Sequence, residues 1–245
     1  LRDEANAVEA IAFYEACLET SKDGPFAGPA TRGVALARFE QKDFERAAAA
    51  FLDVMRRFPD TPLNEETYAW VGQYFYDAKK WDEARDTFQA LLAKVKDYPN
   101  PERVRFMMAE CIERSGKVDE AIAQYQAVAD IAPASVKAAE AQYRMAGLYE
   151  QKKDLDRAFS LYESVADAKA GDVSARARFR MGELHESRKE YDKAARSFLF
   201  VAILFLHEEL SPEALWRAGQ CFEQAGQPEQ ARRAAQSRFK EAPEV

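Results

Sequence analysis

Seven alanines, Ala10, Ala47, Ala84, Ala121, Ala158, Ala194 and Ala231, recur at intervals of 37, 37, 37, 37, 36 and 37 residues. The chain around them reads aromatic-x-x-Ala-x-x-x-aromatic, as in Phe44, Ala47, Phe51; Trp81, Ala84, Phe88; and Tyr191, Ala194, Phe198. Spacings of three and then four residues put the rings and the alanine on one helical face, where a small residue lets a neighbouring helix come close. A fixed period of this size marks stacked two-helix units. Such units hide their apolar faces only against one another, and their stacks present surfaces to partners. The expected fold class is therefore all-α, an α-α superhelix.

Twelve residues before each anchor stands a second small residue: Ala35, Gly72, Ala109, Ala146, Gly182 and Gly219. Val71, Met108, Met145 and Met181 precede four of them. This is a second helix with its own point of close approach. Polar or glycine breaks separate the two helices, at Gln41-Lys42-Asp43, Ser115-Gly116-Lys117, Lys152-Lys153-Asp154 and Gly226-Gln227-Pro228. Pro59, Pro133 and Pro243 fall where each anchor helix should stop, and Pro99 falls three residues late, which predicts a longer helix there. The pattern predicts 13 helices in one solenoid over 1–245: a half repeat at 1–25, then repeats at 26–61, 62–99, 100–137, 138–173, 174–210 and 211–245.

This pattern resembles the tetratricopeptide repeat family, with a period of 36 to 37 residues in place of the usual 34 or so. The extra residues fall between hairpins, in "PDTPLNEETYAWVG", "APASVKAAEAQYRMAG" and "LSPEALWRAG". Those connectors are similar to repeats of bacterial cell-envelope proteins of two kinds, the Tol-Pal-associated division coordinator and the lipoprotein of the outer-membrane barrel-assembly machine. The resemblance implies a non-catalytic scaffold and points to a periplasmic or envelope-associated setting.

A net charge of −7 and a pI near 5.2 argue against nucleic acid, whose binding needs a basic surface. Ten glycines and ten prolines, mostly at hairpin junctions, fit a nearly all-helical chain. Cys111 and Cys221 occupy the same slot three repeats apart, so no disulfide is expected between them. With Cys17 they are read as small apolar residues, and free thiols are commoner in reducing compartments. No run of residues is long and apolar enough for a transmembrane segment, and no signal peptide is legible. Leu1 falls inside a repeat, so the pattern expects sequence upstream and an apolar edge at this end.

Chemistry is hard to place on this chain. His185 falls where other units carry Tyr149, Phe75 or Phe222, a packing position, and His207 is the only other histidine. There is no Cys-x-x-Cys, no His-Glu-x-x-His and no glycine-rich phosphate loop, so neither a catalytic site, a metal nor a cofactor is expected. "SRFK" (Ser237 to Lys240) matches a Ser-x-x-Lys nucleophile motif, but it has no companion motifs and is read as coincidence.

Two surfaces remain. The family's groove is lined by particular slots of the first helices, and carrying those slots over gives a ring row and an acidic row. The ring row is Phe106, Tyr143, Phe179 and Trp216, with Arg32 in the same slot; the acidic row is Glu113, Glu150, Glu186 and Glu223, with Phe39 and Tyr76 in its first two places. These would suit a peptide carrying apolar and basic side chains, or the rings would pack between hairpins. A tail-carboxylate clamp is disfavoured, because Asn6, Asn64 and Asn100 map to none of the slots. The second surface is the apolar run Phe198 to Leu206. Phe198, Val201 and Ala202 account for the inner face of that helix, which sends Leu199, Phe200 and Ile203 outward as an interface. Ala235 and Arg238 replace apolar residues in the last helix, a capping feature that closes the solenoid near Pro243. The expected function is a protein- or peptide-binding scaffold. The alternatives are a self-associating solenoid joined through 199–203, giving a homo-oligomer, or the substrate receptor of a larger protein.

Overall fold

The computed structural model describes residues 2–168, 171–205 and 209–240, with side chains for all of these except 2–5 and 236–240. Leu206, His207, Pro243 and the side chains of Ser237, Arg238 and Lys240 lie outside the described residues. Among the described residues thirteen α-helices follow one another. They are α1 (Arg2–Thr20), α2 (Ala27–Glu40), α3 (Phe44–Arg57), α4 (Glu65–Asp77), α5 (Trp81–Lys94), α6 (Pro101–Arg114), α7 (Val118–Ile131), α8 (Val136–Gln151), α9 (Leu155–Asp167), α10 (Asp172–Ser187), α11 (Tyr191–Phe200), α12 (Ser211–Gln224) and α13 (Pro228–Lys240). α11 runs on as a π-helical stretch, Val201–Phe205. The fold is all-α, one orphan helix followed by six hairpins. The chain falls into two compact units, Leu1–Glu120 and Ala121–Val245.

Every hairpin turns on the same backbone device. The residue seven after the small position takes a left-handed conformation: Lys42, Lys79, Gly116, Lys153, Lys189 and Gly226, with φ between 57° and 77°. The next amide then reaches back to a carbonyl five residues earlier, as in Asp43 N to Arg38 O (3.0 Å), Lys80 N to Phe75 O (2.9 Å) and Glu190 N to His185 O (2.9 Å). This closes the first helix and aims the chain back along it. Side-chain caps open several helices: Asn64 accepts from Thr67 N at 2.9 Å, and Ser135 accepts from Ala138 N at 3.0 Å.

The anchor alanines are buried, apart from Ala10 of the orphan helix, which is half-buried. Two glycines show why the small position must be small. A Cβ on Gly72 would fall 2.5 Å from the Phe88 ring, and one on Gly182 would fall 2.7 Å from the Phe198 ring. In both hairpins the second helix lays a ring against the bare backbone of the first.

The late proline does not lengthen its helix. α5 ends at Lys94, and Val95 is extended, so the extra residues form a connector up to Asn100. The helix stops because its buried stripe of Ala84, Phe88 and Leu91 ends there, four residues before Pro99 can act.

Candidate functional site

Two members of the acidic row, Glu150 and Glu186, form one half of a contact between successive hairpins. The fourth residue after a small position meets the residue two before the next small position. In the unit 121–245 this is Glu150 to Arg180 at 2.7 Å and Glu186 to Arg217 at 3.7 Å. Glu183 joins both arginines, at 2.6 Å and 2.5 Å. Glu150 and Glu186 thus each pair with an arginine of the next hairpin. Glu113 is half-buried on α6, and Glu223 is exposed on α12.

The ring row behaves in the same way. Phe106 and Phe179 are each 7% exposed. Phe179 meets Phe198 edge to face at 5.1 Å, within a cluster that includes Ala214, Leu215 and Ala218 of α12, and the Arg217 guanidinium lies 5.5 Å from its centre. Tyr143 meets Tyr162 at 5.4 Å and packs against the cluster holding Ala177 and Met181 of α10. Burial raises the pKa of both tyrosines. Phe106 and Phe179 are thus buried, and Tyr143 is half-buried in ring contact with Tyr162. Trp216 differs: it is 51% exposed and borders an open cavity of about 550 Å³ with Glu223, Leu215 and Ala231.

In the unit 1–120 the pair of slots on α2 and α4 is aromatic. Phe39 takes the glutamate place and Trp70 the arginine place, and their rings meet edge to face at 4.8 Å. Phe44 lies 5.4 Å from Phe39, and Tyr74 stacks on Trp70 at 5.7 Å. Phe39 and Phe44 are each 40% exposed, and Leu36 beside them is exposed too. Exposed Glu40, Glu66 and Asp77 lie on the same two first helices. Tyr76 is half-buried, and its hydroxyl donates to Glu110 at 2.8 Å. Phe39 and Tyr76 lie in the rows that the slot pattern defines, whereas Leu36, Phe44, Trp70 and Tyr74 lie outside them. The signal was available, since Trp70 stands in register with Arg180 and Arg217.

Two ring slots of this unit carry no ring, Arg32 on α2 and Ala69 on α4. Beside Ala69 is a cavity of about 370 Å³.

The run after Ala194 divides by the helix's change of pitch. Phe198, Val201 and Ala202 are buried as expected. Leu199 is half-buried against the α11–α12 cluster, which corrects its outward placement. The wider π turn rotates later residues off the regular stripe, so Ile203 (59%) and Leu204 (64%) are the exposed pair. Phe200 is 39% exposed, with the Arg178 guanidinium 4.7 Å above its ring.

His185 sits where packing was expected, its Nδ1 2.6 Å from Glu190 and its ring 4.9 Å from Phe159. Burial pushes the Cys111 thiol up to about 12 and the Cys221 thiol to about 11, which leaves both protonated and unreactive. Among the described residues no group of three or more His, Cys, Asp or Glu could hold a metal ion, and no helix is long and apolar enough to cross a membrane.

Antiparallel hairpins of constant period, with one contact slot repeated between them, define a helical-repeat protein. A tetratricopeptide repeat profile matches residues 71–136 and 173–244, and a second matches 33–61 and 140–168. The first spans more than half of the chain, which therefore belongs to the tetratricopeptide repeat family. The fold is similar to that of a solved MamA protein, at TM-score 0.55 and 17% identity, covering 74% of this chain and 97% of that one. It is also similar to BtubC (BKLC) from P. vanneervenii, at 0.53 and 13%, covering 100% and 94%. A tetratricopeptide repeat protein from Parabacteroides merdae gives 0.53 and 18%, covering 89% and 81%. At these identities the likeness is one of fold. No curated protein matches the sequence. Proteins of this family are in general scaffolds for protein interaction.

Proposed function

We propose that this chain is a non-catalytic scaffold that takes a protein or peptide segment on the α2–α4 face, with Phe39, Phe44 and Trp70 as anchors. The observation that carries the reading is the exposure of Phe39 and Phe44 beside the half-buried Trp70, in a slot that the other unit closes with ion pairs. An exposed aromatic cluster is the usual chemistry of a binding hot spot. The acids Glu40, Glu66 and Asp77 around it favour a segment with basic as well as apolar side chains. The connector stretches point to bacterial envelope assembly or division as the setting.

The test replaces the rings by the pair the chain already uses elsewhere. Phe39→Glu with Trp70→Arg copies Glu150–Arg180, so the variant keeps its helicity and its thermal transition. A random peptide display library panned on the parent yields binders, and these lose at least about tenfold in affinity on the variant, a difference of about 1.4 kcal/mol. Binders that do not distinguish the two proteins would overturn the assignment.

A second reading rests on Phe200, Ile203 and Leu204. Three large apolar side chains in water at one site suit self-association through the 199–203 region.

A further inference from the structure

The pocket beside Ala69 lies at a slot where other hairpins carry a ring. In two hairpins the ring slot of the first helix pairs edge to face with the ring four residues after the anchor alanine: Tyr143 with Tyr162, and Phe179 with Phe198. In the α4–α5 hairpin that second ring is Phe88. It is seated on Gly72 as Phe198 is seated on Gly182. Its partner slot, however, is Ala69, so Phe88, which Tyr76 meets at 6.4 Å, borders a cavity beside that slot.

The rest of the lining is mixed, with Gln73, Tyr98 and Pro99 beside apolar groups that suit an aromatic guest. Leu91 and Val104 wall the cavity, and Met107 stands in the slot from which Arg217 covers Phe179. A thioether is a favourable neighbour for an aromatic edge. The volume of about 370 Å³ is ample, since an apolar cavity of about 150 Å³ already admits benzene. Exposed Asn100 and Arg103 at the rim leave the pocket open to solvent.

We infer that this pocket receives an aromatic side chain from the bound partner, which supplies against Phe88 the ring that Tyr143 and Phe179 supply from within the chain elsewhere. The inference deepens the proposed function and rests on α4 forming part of the binding face. It adds one requirement to the partner: a Phe, Tyr or Trp that reaches the Ala69 pocket.

The whole chain, labelled with ¹³C at its five methionine methyls, provides the measurement. N-acetyl-tryptophanamide and N-acetyl-phenylalaninamide are titrated against it, with N-acetyl-leucinamide as the aliphatic control. The Met107 methyl shifts saturably with the aromatic amides, while the buried Met145 and Met181 methyls hold still. Ala69→Phe fills the slot with the chain's own ring and abolishes the shift; Ala69→Leu serves the same purpose should the phenylalanine variant lose its native Met145 and Met181 lines. A Met107 signal that never moves, moves equally with the leucine amide, or responds in the filled variant as in the parent overturns the pocket assignment. None of these outcomes depends on Phe39 or Trp70, so the pocket can fail while the ring face stands, or the reverse.

Discussion

Four lysines hold a backbone conformation that costs an ordinary residue about 1 kcal/mol or more. Lys42, Lys79, Lys153 and Lys189 sit at φ near +60° in turns where Gly116 and Gly226 do the same work without a Cβ. Nothing lies within 4 Å of where a Cβ on Gly116 would be, so the penalty there is one of backbone alone. Lys79→Gly and Lys153→Gly are each expected to stabilise the protein by about 0.5–1 kcal/mol, and Gly116→Ala to destabilise it by a similar amount. Urea midpoints at unchanged slope measure this, and a lysine-to-glycine loss of stability would refute it. The breaks at Gln41-Lys42-Asp43 and Lys152-Lys153-Asp154 were legible as turns in the sequence. Their shared left-handed position was not, because lysine carries no such preference and only the register with Gly116 and Gly226 reveals it.

At the level of helices, what the sequence disclosed and what it hid follow from range. The anchor alanines, the close-approach glycines and the buried trio Phe198, Val201 and Ala202 are local periodicities, and a single helix displays them. The fate of the acidic row is decided one hairpin away, by Arg180 and Arg217, at a separation no i to i+4 rule covers. Leu199 is half-buried for a related reason: it lies on regular α11, and the cluster it packs against includes residues of α12 in the next hairpin. The arginine ladder also makes a prediction. Arg217 is about three-quarters shielded, reaches Glu183, Glu186 and Glu213, and lies over both Phe179 and Phe198. Arg217→Met keeps the aliphatic stem over the rings but leaves those carboxylates short of a donor, so it should cost about 1–3 kcal/mol. Chemical denaturation of the parent and the variant reads this directly. A loss below about 0.5 kcal/mol would place the ladder among solvent-screened surface pairs.

For the whole molecule the open question is whether copies meet. A net charge of −7 opposes association through general repulsion, so any self-contact must come from a local apolar patch. Phe200, Ile203 and Leu204 form one, and covering each would recover up to roughly 1.5–3 kcal/mol, less the entropy of association. Phe200 is already partly shielded by Arg178, itself bonded to Asp167 at 2.7 Å, which makes Ile203 and Leu204 the stronger contributors. Self-association through this site predicts a light-scattering mass above one chain that rises with concentration and persists when salt screens the charge. Phe200→Glu with Ile203→Glu adds two carboxylates per copy at the contact and should return the mass to a single chain with helicity intact. If the parent already scatters as one chain at every concentration, the patch does not join copies; if the double variant still associates, the contact lies elsewhere on the molecule.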